Sequence, residues 1–192
     1  MSGIANYTDD DIKTLSPREH IRLRPGMYIG KLGDGTAPDD GIYVLIKEVM
    51  DNSVDEFIMG AGKVIEITVE GKAVTIRDYG RGIPLKSLAA AVSEMNTGGK
   101  YGSAAFEKTV GLNGVGVKAV NMLSSEFMAR SVRDGEAHTV HFAAGIQQDD
   151  IWESGVNERT GTLIRFVVDE EVFGEYSYNL EYVETLIKNY TY

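Results

Sequence analysis

Three short runs hold the residues best suited to chemistry. Glu48, Asn52 and Asp55 lie one and two turns apart in a stretch of helical periodicity, with Asp51 between them, so a helix would present them together, opposite its apolar stripe. On helical geometry alone this is a solvated polar face. A sharper alternative is that the asparagine offers an uncharged carbonyl to Mg²⁺ while the glutamate one turn away takes a proton from a water attacking a phosphate. Asp78 ends a run of strand character and shares the parity of Val74 and Ile76, so its carboxylate points to the apolar side and needs a partner there. It is either a salt-bridged core acid or the acceptor for a ligand's amino group. The residues that follow, Tyr79-Gly80-Arg81-Gly82-Ile83-Pro84, favour the second, because glycines let backbone approach a flat ligand and Ile83 and Pro84 add apolar surface. That combination suits an aromatic base with an exocyclic amine. The third run, Gly111-Leu112-Asn113-Gly114-Val115-Gly116-Val117, opens a helix whose first N–H groups suit an anion.

Two common phosphate motifs fail on context. Gly114 to Ala119 fits G-x-G-x-x-A, but it follows a Gly-rich stretch rather than the strand of a βαβ unit, and no Walker A sequence occurs.

The elements that must position these runs follow from periodicity. Ile42, Leu45, Ile46, Val49, Ser53 and Phe57 predict a helix over 41–60. Val64 to Glu70 and Ala73 to Asp78, separated by Gly71-Lys72, predict a hairpin. A helix over 84–94 comes next, then a Gly-rich stretch over 96–113 long enough to be a lid. Beyond it are a helix over 114–124, strands over 127–133 and 138–142 about an Asp134-Gly135 turn, a polar loop, a strand over 162–168 and a helix over 179–190. Residues 1–40 are polar and Gly/Pro-punctuated, with a basic cluster at Arg18, Arg22 and Arg24, and predict an arm with room for a short helix, then loops, ahead of a domain over 41–192. The helical end without a capping signal predicts a cut inside a longer protein. Helices and strands do not alternate strictly, which predicts an α+β, two-layer sandwich: a mixed, mostly antiparallel sheet with helices on one face.

Composition removes several classes. The 192 residues are 43% hydrophobic and 25% charged, which suits one globular domain rather than a disordered chain. A net charge of −10 has the wrong sign for gripping a phosphate backbone, so any DNA contacts are expected in segments outside this chain. There are no cysteines, hence no thiolate zinc site or cysteine nucleophile. His138 and His141 sit at opposite strand parity, cannot chelate together, and are expected to be surface or satisfied histidines. No apolar run approaches the roughly 18 residues of a membrane span and no signal peptide opens the chain, so a cytoplasmic protein without a membrane partner is expected.

The order of Glu48 to Asn52, Asp78-x-Gly-x-Gly, a lid, GLNGVGV and Gly161-Thr162 resembles the GHKL ATPases. Within them, RPGMYIG at 24–30, EVMDNSVDE at 48–56, GRGIP at 80–84 and GVGV at 114–117 resemble the B subunits of bacterial type IIA topoisomerases. The stretch over 96–121 is more similar to topoisomerase IV than to gyrase. A kinase-type GHKL domain would need a phosphoacceptor helix that residues 1–40 do not offer, and a non-catalytic nucleotide module would lack Glu48.

The resemblance implies that Glu48 is the general base and Asn52 the Mg²⁺ ligand, with Asp78 receiving the adenine amine of ATP, aided through water by Gly82 and Thr162. It implies that Lys100 and the lid up to Gly111, Leu112 and Asn113 wrap the triphosphate, with N–H donors from Gly114, Val115, Gly116 and Val117. Asp55 and Ile83 join the nucleotide pocket. Arg81, Pro84 and Arg133 form a shelf for aminocoumarin inhibitors, and Tyr7 and Ile12 belong to an arm that reaches a second copy when ATP binds. The A subunit is the implied partner in an A₂B₂ assembly. Three departures from the family pattern are Phe106 for a lid tyrosine, Asn113 for a histidine and Lys118 for a small polar residue. A transducer domain that contacts the γ-phosphate is implied after the C-terminus, so this piece alone is expected to bind ATP, hydrolyse it poorly and dimerise weakly.

Overall fold

In the computed structural model, which describes residues 14–95 and 114–190, the strands are β1 (Ile65–Glu70), β2 (Ala73–Asp78), β3 (Ser124–Arg133), β4 (Glu136–Ala143), β5 (Ile146–Ser154) and β6 (Gly161–Val168). They form one sheet in the order β1-β2-β6-β3-β4-β5, antiparallel at every pairing. Gly71-Lys72 joins β1 to β2 with Glu70 opposite Ala73. Asp134-Gly135 and Ala144-Gly145 close the next two hairpins with positive φ at both residues, the twist that matches paired strands.

β5 stands where a polar loop is predicted. Every one of its residues is exposed, so IQQDDIWES carries no alternation for the sequence to show, and main-chain pairing to β4 alone makes it a strand.

The helices are α1 (Pro17–Leu23), α2 (Gly26–Ile29), α3 (Gly41–Ile58), α4 (Leu88–Ser93, after a 3₁₀ turn at Leu85–Ser87), α5 (Gly116–Met122), α6 (Glu170–Phe173) and α7 (Leu180–Lys188). Ile42, Leu45, Ile46 and Val49 of α3, Leu88 and Val92 of α4, and Ala119 and Val120 of α5 share one core with Val74, Ile76, Phe127, Ala129, Val140, Phe142, Ile164 and Phe166 of the sheet. Phe57 is expected on the same stripe but is 56% exposed. The other sheet face carries ion pairs, Arg165 with Glu126 and Arg130 with Glu153 and Glu158, as a solvated face should.

The short helix that the N-terminal stretch has room for is α1, and a second, α2, stands where loops are predicted. Ser16 and Glu19 form a capping box ahead of Pro17, and α1 buries Ile21. The basic cluster ties it down: Arg22 meets Asp169 at 2.7 Å and donates to the Met122 carbonyl at 3.0 Å, while Arg18 donates to the Ala144 carbonyl. Arginines bonded to distant carbonyls look like surface charge in a sequence.

Phe166, fully buried at the centre of the sheet, and Ile151, exposed on β5, test where stability resides. Phe166→Ala should cost about 3–5 kcal/mol in chemical denaturation, whereas Ile151→Thr should stay within about 0.5 kcal/mol.

Candidate functional site

Asp78 closes β2 and is 7% exposed. Its Oδ1 accepts the N–H groups of Gly80 at 2.9 Å and Thr162 at 3.2 Å, and no described residue bonds Oδ2. Burial pushes its pKa up from the ordinary value, the two N–H groups pull against that rise, and the Glu56 charge adds to it. No described lysine or arginine forms an ion pair with it. Of the two readings of Asp78, the acceptor for a ligand's amino group is the one this geometry suits.

The loop that follows is clamped from two sides. Ser131 Oγ donates to the Ile83 carbonyl at 2.7 Å, and His138 Nδ1 donates to the Leu85 carbonyl at 2.6 Å. Ser131 lies opposite both Thr162 and His138, so one row of polar residues crosses the sheet beneath the loop. On the other side Glu56, near the end of α3, takes the Arg81 backbone N–H at 3.1 Å and its guanidinium at 3.0 and 2.8 Å. Gly82 makes the close approach possible, with φ at 71° and a hypothetical Cβ only 2.9 Å from the Val132 carbonyl. Pro84 and Arg133 then line an open groove of about 280 Å³ with Leu85, Lys86, Asp134 and Glu136. Of the predicted shelf residues, Pro84 and Arg133 line this groove, and Arg81 is held in the adjoining loop by Glu56.

At the other end, α3 faces the start of α5. Glu48 is half-buried and its carboxylate takes no hydrogen bond from any described residue. It lies directly on the backbone of Gly116, where an added Cβ would stand 2.0 Å from Oε2. Burial pushes the Glu48 pKa up, the neighbouring Asp51 charge pushes it further, and Lys47 opposes both. Asn52 is exposed and donates Nδ2 to the Glu48 carbonyl at 2.9 Å, which fixes the amide and turns Oδ1 away from its own helix. α5 begins at Gly116, two residues later than predicted, with Val115 as an N-cap that bonds none of its first N–H groups through a side chain. Gly114 stands ahead of that cap at φ 60° and Val117 packs partly against the core. Lys118 is buried, donates to the Gly114 carbonyl, and has its pKa lowered by burial.

The polar face of α3 is therefore only partly solvated: Asn52 is exposed, but Asp51 is 4% exposed, with the Tyr190 hydroxyl donating to it from just beyond α7, and Asp55 is fully buried. Tyr7, Lys100, Phe106, Gly111, Leu112 and Asn113 lie outside the described residues. Glu56, Ser131 and His138 position the site yet carry no role in the sequence reading, since their partners lie 25, 48 and 53 residues away. His138 is a satisfied histidine, its Nε2 2.7 Å from Asp150 and its ring stacked on Trp152 at 3.9 Å.

Residues 38–171 match the family described as histidine kinase-, DNA gyrase B- and HSP90-like ATPases. The chain is 51% identical over 187 residues to the DNA topoisomerase 4 B subunit of Borreliella burgdorferi, covering 96% of this chain and 31% of that protein. It is 34% identical over 194 residues to the DNA gyrase B subunit of Treponema denticola, covering 96% and 30%. The crystal structure of the 43K ATPase domain of Thermus thermophilus gyrase B in complex with an aminocoumarin shares the fold at a TM-score of 0.76 and 26% identity, over 91% of this chain and 45% of that one. The chain spans about a third of the length of these curated relatives. With Glu48, Asn52, Asp78 and Thr162 inside the matched span and gathered on one fold, the chain belongs to the family of histidine kinase-, DNA gyrase B- and HSP90-like ATPases.

Proposed function

We propose that this chain is the ATP-binding and hydrolysing module of a type IIA topoisomerase B subunit, and that in the whole protein it powers the passage of one DNA duplex through another. The observation that carries the reading is the half-buried Glu48 carboxylate, unpaired among the described residues and resting on the first residue of α5, one turn from Asn52. Asp78 Oδ2 accepts the adenine amine, with Gly82 and Thr162 beside it, while Ile83 and Pro84 offer the base an apolar edge. The triphosphate then runs toward the start of α5, whose first N–H groups meet its oxygens. Glu48 takes the proton of the water that attacks the γ-phosphorus, and the bond to the ADP oxygen breaks.

Asn52 fits Mg²⁺ as an oxygen donor whose Nδ2 is already engaged. Among the described residues no group of three metal-ligating side chains exists. Mg²⁺ supplies charge neutralisation at the phosphates. Lys100 and the residues up to Asn113 would add further contacts, Tyr7 and Ile12 would reach a second copy, and the groove at Pro84 and Arg133 would admit an aminocoumarin. No described helix is long and apolar enough to cross a membrane.

The A subunit is the proposed partner in an A₂B₂ assembly, with DNA held by segments beyond this chain. Topoisomerase IV is favoured over gyrase by the 51% identity to a topoisomerase 4 B subunit against 34% to a gyrase B. Decatenation without supercoiling by the reconstituted assembly supports that choice; ATP-dependent negative supercoiling reverses it.

Glu48→Ala in the full-length protein should cut ATP hydrolysis by roughly 10²- to 10⁴-fold and spare nucleotide binding. Loss of binding, or an unchanged rate, removes Glu48 from the role of base. Asp78→Asn should weaken an ATP analogue by about 10- to 100-fold in calorimetry, the scale of a hydrogen bond to a charged group, because an amide cannot replace the anionic acceptor. The pH dependence has a definite sign: the ionised carboxylate of Glu48 is the active form and its pKa is raised by burial. The rate should therefore be full at high pH and fall, as pH drops, at a value above the ordinary glutamate range, an acid limb that a kcat profile measures directly.

A further inference from the structure

Asp51 stands three residues after Glu48 and directly before Asn52. A carboxylate so placed is a rival acceptor for the water served by the base and a rival ligand for the cation served by the amide. Both of its oxygens are instead occupied from outside the pocket. Lys47 Nζ sits 2.6 Å from Oδ2. The Tyr190 hydroxyl, brought in just beyond the end of α7, donates to Oδ1 across 139 residues of sequence. The Tyr190 ring packs against the core, and burial followed by the Asp51 carboxylate raises the phenol's pKa, which keeps the hydroxyl a donor. The Glu48 charge acts on the same phenol, so the hydroxyl lies within electrostatic reach of the base.

We propose that Tyr190 and Lys47 are positioning residues for hydrolysis: by holding both oxygens of Asp51 they keep that carboxylate away from the water and the cation, and Tyr190 thereby couples the seating of α7 on α3 to turnover. The proposal rests on the reading of Glu48 as the base. It gives Tyr190 no contact with nucleotide, so its removal should leave binding intact. A buried acid satisfied only for stability would instead lose folding free energy without a selective loss of rate.

Tyr190→Phe in the full-length protein removes one hydroxyl and keeps the ring. We expect kcat for ATP hydrolysis to fall by about 3- to 10-fold, the scale of one hydrogen bond. KM and the Kd of a non-hydrolysable ATP analogue should stay within about twofold, since only the catalytic geometry is disturbed. In an Asp51→Asn background, where no charge remains to be held, the same change should have no further effect on kcat. A wild-type kcat in Tyr190→Phe overturns the proposal, as does a loss that persists undiminished beside Asp51→Asn or that follows affinity and thermal stability in proportion. Should Tyr190→Phe fail to fold, Lys47→Met carries the same kcat-against-KM readout, because Lys47 is 48% exposed and its stem is retained. Glu48→Ala in the same assay separates the two readings. If that variant still turns over, the base assignment falls; if it is dead while Tyr190→Phe is wild type, only the positioning role falls.

Discussion

A carboxylate can act as a base in a half-dry pocket only if nothing nearby neutralises it, and a charge left unpaired away from water raises the free energy of the fold. Glu48 stands under that constraint. Its oxygen rests on the backbone of Gly116, where no side chain fits, and no described donor satisfies it. The surroundings offset what Glu48 costs: the apolar stripe of α3 is anchored in the shared core, and α5 is pinned by Ala119, Val120 and Met122. The pocket thus rests on a helix pair that the core cannot let move apart.

Asp78 solves a related problem differently. It is more deeply buried than Glu48, but two backbone N–H groups hold one of its oxygens in place and leave the other for a ligand. Main-chain donors come from the chain reversal at Gly80 and from β6, so its orientation is set by the sheet register rather than by a side chain that could swing. The neighbouring loop is bonded to Glu56, Ser131 and His138 at three points, which gives Ile83 and Pro84 a preformed surface and spares a ligand the ordering entropy.

Positive charge is likewise tied up in the fold. Much of the basic side-chain inventory is committed to structural contacts, Arg18 and Arg22 on α1, Arg81 on Glu56, and Arg130 and Arg165 on the open sheet face. With a net charge of −10, the described surface offers little that would grip a polyanion by counterion release.

Much is legible in the residues themselves. Helical spacing brought Glu48 and Asn52 to one helix, strand parity turned Asp78 to the apolar side, and Gly71-Lys72 and Asp134-Gly135 marked hairpins, because each of these depends only on local geometry that repeats along the chain. What parity and spacing leave open is who stands opposite. Asp51 and Asp55 read as solvated yet are buried in the fold, Asp51 against the Tyr190 hydroxyl, and β5 reads as loop until β4 supplies its partner. The arginines of α1 read only as a basic cluster until Met122, Ala144 and Asp169 arrive from across the fold. The sequence alone determined which side chains are candidates for the chemistry and most of the elements that hold them. Tertiary structure alone decided which carboxylates stay free and which are paired, because pairing depends on burial and on partners tens of residues away that no local period encodes.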